Sequence, residues 1–409
     1  MVQSAYWWIF VSLVPVIYWC APLRFRAAIL TCGSIATLIA IAPGQWVVLL
    51  GLGALIWGIC EVVARERALA VSGGVNRDAR HSFNPFWATG APVLILLSCL
   101  IWFKYLPALA SIAWPTGPFT RAAAPLGMSY LCLKLMHFAI ERSRGTLPPH
   151  RPTDYLSWLF LLPTFSAGPI ERFDHFVTHR ETTFKSAFLV EGGSRIAQGF
   201  VKKFVLSAGV DAMAHKVIGI DPLVFARSGA GGLYGIAETW AFLALNLCAL
   251  YLDFSAYSDI AIGASRLFGL RIAENFNYPL LATNLGEFWR RWHMSLTGWC
   301  RAYVFMPLVG MTRNPTLAII VNFAAVGLWH AASLQWLAWG LWNGCGMAFL
   351  QRWSRFAQKR RIVFTKTAAG KAGAWLLTLA FVTLGDALVA LNDASLVDSL
   401  RLMRRAVGF

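Results

Sequence analysis

Two histidines stand in unusual company. His330 lies within "VNFAAVGLWHAASLQWLAWGLWNG" (321–344), a run without Asp, Glu, Lys or Arg, between Trp329 and the small residues Ala331, Ala332 and Ser333. His293 closes the densest ionisable stretch, "GEFWRRWHMSLTGW" (286–299), where Glu287, Arg290 and Arg291 alternate with Phe288, Trp289 and Trp292. Imidazole titrates near neutrality, so it can take a proton from an attacking hydroxyl and pass it on. An ionisable group inside an apolar run is expensive and faces a cavity or a protein partner. His330 therefore reads either as a neutral histidine bonded to a nearby carbonyl or as a proton-transfer residue in a pocket.

Carboxylates form a second cluster. In "LNLCALYLDFSAYSDIAIGASRLFG" (245–269), Asp253, Ser255, Tyr257, Ser258 and Asp259 interrupt an apolar segment that holds no basic residue before Arg266. Buried carboxylates need partners. They are expected to bond neighbouring helices or Arg290 and Arg291, or to orient a histidine as in catalytic triads. No GxSxG elbow, GxxxxGK[ST] loop or HExxH pair occurs, so serine-hydrolase, P-loop and zincin chemistry have no motif here. The glycine-rich 221–238 lacks the Walker Lys-Ser/Thr and reads as a loop. Only tertiary structure can bring together two histidines that stand 37 residues apart.

The elements that must position these groups are helices in lipid. The 409 residues are 57% hydrophobic and 13% charged, with charge-poor runs at 5–20, 27–42, 46–63, 91–113, 155–170, 239–263, 316–350 and 373–392. Some approach the roughly 20 residues that cross hydrocarbon. The reading is an all-α polytopic integral membrane protein, a single domain over 1–409 with about ten transmembrane or re-entrant helices. The formal charge of +17 raises nucleic acid as a partner, yet the basic residues cluster between apolar runs, at Arg24/Arg26, at Arg65/Arg67/Arg77/Arg80 and through 351–371, which holds seven basic and no acidic residues. That is the positive-inside pattern. It excludes nucleic acid and places the N-terminus outside, with 64–82 and 351–371 cytoplasmic. Without a basic n-region the first run is not a cleavable signal. The eight cysteines show no CxxC or CxH spacing, so no metal or disulfide framework is expected.

Asn284 is a good N-cap, and Glu287 three positions on can return a bond to it. Continued at about 100° per residue, Leu285, Phe288, Trp289, Trp292, Leu296 and Trp299 share one arc, with Glu287, Arg290 and Arg291 opposite and His293 at the margin. This predicts an interfacial or re-entrant helix over Asn284–Trp299.

Four blocks in order, "PLGMSYLCLKLMHFAIERSRG" (125–145), "LLPTFSAGPIERF" (161–173), "YLDFSAYSDIAIGASRLFGLRIAENFNYPLLATNLGEFWRRWHMSLTGW" (251–299) and "GLWHAAS" (327–333), resemble the membrane-bound O-acyltransferases, in particular the bacterial branch of alginate O-acetyltransferase and teichoic-acid D-alanyl transferase. The resemblance runs over about 120–350. It implies a transmembrane acyltransferase with a central acyl-transfer tunnel, His330 as the catalytic histidine and His293 as the second functional one. Asp253, Tyr257, Asp259, Asn275, Glu287, Arg290, Trp292 and Trp329 are then expected to support the pocket or acyl path. No bound cofactor or metal is implied; acetyl-CoA or an acyl-carrier thioester is the donor substrate. The partners are the lipid bilayer, a glycan acceptor, and a periplasmic acyltransferase or cytoplasmic carrier protein, in the bacterial inner membrane. "YVFMPLVGMTRN" (303–314) departs from the alginate-type "YIPLGGNR", and "LPTFSAGPIERF" leans toward D-alanyl transfer, so both acyl groups stay open. The C-terminus is expected to end in one helix at 373–392 and a short basic tail. A transporter is the rival class, since intramembrane Asp and His also mark ion paths; no inverted repeat or paired broken helix supports it. A non-catalytic scaffold would not need both histidines.

Overall fold

The computed structural model describes residues 2–72, 89–113, 124–229, 231–362, 367–391 and 394–409. Arg77 and Arg80, and residues 363–366 of the second basic stretch, lie outside them. Among the described residues the fold is helical, with one isolated bridge between Arg180 and Leu270 and no strand. Five helical segments are long and apolar enough to cross a bilayer: Leu23–Ile41, Trp46–Glu66, Ala91–Ala110, Gly232–Arg266 and Ala368–Asp386. Ala5–Cys20 and Pro315–His330 are shorter apolar helices.

The chain gathers into two compact units, 1–196 with 260–273 and 197–259 with 274–409. The first contains α1 (Ala5–Cys20), α2 (Leu23–Ile41), α3 (Trp46–Ser72), α4 (Met128–Arg144) and α5 (Pro152–Leu159). The apolar run 155–170 is not a span. Its helix stops at Leu159, and Trp158, Leu159, Leu161 and Leu162 are wholly enclosed by protein. A buried ammonium explains the stop: Lys134 Nζ donates to the carbonyls of Trp158 (2.5 Å) and Leu159 (3.2 Å), satisfying acceptors that a helix end leaves open. Burial pulls the Lys134 pKa down to about 7 against the raising influence of Glu171.

α6 (Gly232–Arg266) contributes residues to both units. The second unit adds α7 (Leu285–Arg291), α8 (Met294–Cys300), α9 (Pro315–His330), α10 (Leu334–Lys359), α11 (Ala368–Asp386) and α12 (Leu396–Ala406). The expected run 316–350 is thus two helices. Ala331 is extended (φ −151°, ψ 151°), and Ser333 caps α10 by accepting from the Trp336 N–H. The two arms return against each other at backbone distance. A Cβ on Gly340 would collide with the Phe323 carbonyl, one on Gly344 would lie 3.0 Å from the Ile320 Cα, and one on Gly327 would strike the Trp336 carbonyl. Small residues at such a crossing let helices approach where lipid gives no hydrophobic drive. The consequence for the site is rigid placement of His330, at the last turn before the reversal.

The C-terminal residues are not a basic tail. Ser395 and Asp398 form a capping box that starts α12, whose Leu402 and Ala406 pack with Phe225, Phe242 and Leu391. Arg405 is buried there, over the Phe225 ring (3.9 Å), donating to Glu238 (3.1 Å) and Thr239 (3.1 Å). The hydrophobic face of α12, obscured by three arginines, is legible only at helical spacing.

Candidate active site

The stretch that carries His293 is bent at the residue that matters. α7 starts as expected, with Asn284 Oδ1 accepting from the Glu287 N–H (2.8 Å), but Glu287 returns its bond to Thr283, at N (2.9 Å) and Oγ1 (3.0 Å), and not to the cap. It also pairs with Arg291 (2.5 Å), while Arg290 is exposed. The helix then breaks. Trp292 is extended and His293 has φ 42°, ψ 53°, in the left-handed region, so Asn284–Trp299 is two helices of 7 residues and not one. A non-glycine residue held there is strained by about 1–3 kcal/mol and persists only where its surroundings fix it. They do: the Met294 N–H donates to the Asn275 carbonyl (2.9 Å), and the Asn277 N–H to that of Arg291 (2.9 Å). The aromatic arc holds as far as the break, where Leu285, Phe288, Trp289 and Trp292 pack with Phe323 and Val382 in one core, while Trp299 beyond it meets Tyr303. Trp292 stacks on Phe288 and meets Phe276 edge-on.

Hydrogen bonds assign the His293 tautomer. The Ser258 hydroxyl donates to the Phe254 carbonyl (3.1 Å), so its oxygen accepts Asn275 Nδ2 (3.1 Å). Asn275 Oδ1 then faces donors only, the Ser295 hydroxyl (2.9 Å) and N–H (3.4 Å) and His293 Nδ1 (3.0 Å). His293 therefore carries its proton on Nδ1, and Nε2 is a bare acceptor. That nitrogen is buried with no hydrogen-bond partner among the described residues. Burial, reinforced by the charge of His330, holds the ring well below the usual histidine pKa of 6.5, hence neutral.

His330 is half-buried in a tryptophan enclosure. Its ring stacks on Trp336 (centroids 4.7 Å apart) and meets Trp329 (5.0 Å) and Trp339 (5.8 Å) edge-on. His293 borders the same Trp329 ring at 6.5 Å, so the fold brings the two histidines to one indole. Tyr257 is half-buried on α6, beside Ser258.

The carboxylates have partners that sequence reasoning missed. Asp259 pairs with Lys202 (2.6 Å) and Asp253 with Lys203, both from the π-helical turn Lys202–Ser207. The expected bond to a neighbouring helix is present, and the cations that make it are two adjacent lysines. Their signal was present in "GFVKKFVLSAG" (199–209), two consecutive cations in an apolar segment with no acid of its own. A further buried carboxylate, Asp386, accepts from Asn246 (2.8 Å).

A sequence model described as "MBOAT, membrane-bound O-acyltransferase family" matches residues 126–384, more than half of the chain and both histidines of the site. The chain belongs to the membrane-bound O-acyltransferase family. Within it, the chain is 33% identical over 272 residues to the probable alginate O-acetylase AlgI of Pseudomonas aeruginosa, an alignment covering 63% of this chain and 50% of that protein. It is 31% identical over 261 residues to a teichoic acid D-alanyltransferase of Streptococcus thermophilus (60% of each) and 28% identical over 264 residues to a peptidoglycan O-acetyltransferase of Helicobacter pylori (62% and 46%). The chain spans about half the length of the alginate relatives it matches.

Proposed function

We propose that this membrane-bound O-acyltransferase moves an acyl group, acetyl foremost, from a cytoplasmic thioester such as acetyl-CoA or an acyl-carrier protein to a hydroxyl of a cell-surface or periplasmic polysaccharide, or to a periplasmic partner that completes the transfer. The observation that carries this reading is the pair of histidines around Trp329, one half-buried and one buried, neutral and fixed in tautomer by Asn275. His330 takes the proton of the incoming hydroxyl as its oxygen attacks the thioester carbonyl. The tetrahedral intermediate collapses, the carbon–sulfur bond breaks, and the leaving thiolate receives that proton. His293 Nε2 accepts a hydrogen bond from the substrate and holds it against His330. The lysine–aspartate pairs keep charge balanced beside the site.

The test is chemical. Deleting the gene in its host should remove hydroxylamine-labile acetyl ester from an envelope glycan, and re-expression should restore it. Unchanged ester content would overturn the reading. Recovery of D-alanine in place of acetate would select carrier-dependent D-alanyl transfer, the second reading supported by the teichoic acid relative.

The proposed orientation in the inner membrane has the N-terminus outside and the basic stretches 64–82 and 351–371 in the cytoplasm. In a cysteine-free background, a single cysteine at Ser72 or Ala368 should react with an impermeant maleimide only after permeabilisation. Labelling of either in intact cells would reverse the assignment.

A further inference from the structure

The first unit contains a cavity of about 750 Å³ whose walls come from residues 57–65 of α3, the last turn of α4 and the loop that follows it. Trp57, Glu61 and Arg65 line it from one face of α3, at successive spacings of four residues. Arg142 and His150 close the other side.

The charges do not cancel. Arg142 Nη2 reaches both carboxylate oxygens of Glu61, at 3.0 and 3.2 Å, which leaves the Arg142 Nε–H buried with no acceptor. An orphaned guanidinium N–H wants an acceptor that the protein does not supply. Arg65 is exposed, and no described carboxylate pairs with it. His150 commits its Nδ1–H to the Pro148 carbonyl (2.7 Å), and its ring meets Trp57 edge-on at 5.7 Å. Two guanidinium groups against one carboxylate give a net positive pocket with several N–H donors. Such a set matches the oxygens of a phosphate, which arginine binds through its planar fork.

Depth identifies the source of that phosphate. α3 is apolar enough to span over Trp46–Glu66, so Glu61 and Arg65 mark the end of the span, at the level of lipid headgroups. Trp57 and the exposed Val62 add an apolar wall on the membrane side of the charges. Basic pockets between membrane helices bind anionic headgroups in this manner.

We propose that this cavity binds the phosphate of an anionic phospholipid, with Arg65 and the Arg142 Nε–H as donors and Trp57 against the glycerol backbone. The assignment does not depend on acyl transfer, and its test reads binding alone. The full-length protein in detergent is incubated with dioleoylphosphatidylglycerol or dioleoylphosphatidylcholine, and retained lipid is counted by native mass spectrometry. Wild type should retain the anionic lipid preferentially. Arg65→Gln, a substitution at an exposed position, should lower that retention about tenfold, as expected for losing one charge-assisted hydrogen bond, and leave phosphatidylcholine unchanged. Arg142→Gln alone would strand Glu61, so the neutral pair Glu61→Gln/Arg142→Gln is the second variant, with the same expected loss. Competition by excess glycerol phosphate separates the sources. Displacement of the lipid by this soluble ester, dependent on Arg65, supports the phosphate site and assigns it to a soluble ligand. Equal retention of both lipids by wild type, or equal retention of phosphatidylglycerol by wild type and both variants, overturns the proposal.

Discussion

His330→Ala is expected to reduce acyl transfer by on the order of 10²–10⁴-fold or more while the protein stays in the membrane at wild-type abundance. The structural side of that expectation rests on where the residue stands. His330 is the last residue of α9, and Ala331 beyond it is already extended, so alanine suits both the helix end and the turn. The close backbone approach of α9 and α10 rests on Gly327, Gly340 and Gly344, to which the imidazole adds only its ring contacts with Trp336 and Trp339. What the substitution removes is the imidazole held in the tryptophan enclosure, the group assigned to take the proton of the incoming hydroxyl. The measurement is acylated glycan per unit of membrane-extracted protein. Acylation at the wild-type level would sink the role assigned to His330, and His330→Gln, which keeps volume but not basicity, should fail as alanine does.

Asn275→Asp carries the second large effect, on the order of 10²-fold at neutral pH. Aspartate retains the oxygen that accepts from His293 Nδ1 and Ser295 but loses the amide that donates to Ser258. More important, a carboxylate 3.0 Å from the imidazole favours the protonated ring. The sign follows directly. His293 in the wild type is held well below 6.5 and stays neutral; beside a carboxylate its pKa rises, Nε2 gains a proton, and the acceptor the substrate needs becomes a donor. The variant should therefore recover activity as pH increases, its acid limb displaced to higher pH than that of the wild type. Asn275→Ala should lose activity without that displacement. If Asn275→Asp follows the wild-type pH profile, Asn275 only fills space. His293→Ala should be as impaired as the aspartate variant at neutral pH.

Sequence and structure agree most closely where chemistry is scarce. A histidine in an uncharged run and a histidine among tryptophans are conspicuous because burial makes each expensive, and the fold gathers both around Trp329. The helix cap at Asn284 was legible because it is local. The break at Trp292–His293 was not, since the aromatic arc continues across it and helical projection has no term for a hydrogen bond from a distant Asn275. Nor could hydropathy distinguish the span of α3 from the run 155–170, because lipid-facing and protein-facing apolar residues read alike. That Asp253 and Asp259 would bond a neighbouring helix was legible from the apolar segment they interrupt, but not which cations would meet them, because contact is decided by the turn that presents Lys202 and Lys203.

The brevity of α9 has a consequence for the surrounding lipid. At 1.5 Å per residue its 16 residues reach about 24 Å, and a hydrocarbon core is about 30 Å thick. Roughly 6 Å of bilayer is left unmatched beside the helix that ends at His330, and a membrane answers such mismatch by thinning around a short helix. The lipid annulus next to His330 is then compressed, with headgroups and water drawn inward. Under the proposed function, the acceptor and thioester would be separated there by less hydrocarbon than in an unperturbed bilayer. On that reading, turnover is expected to vary with acyl-chain length in the bilayer, a property set by lipid metabolism and growth temperature rather than by the chain itself.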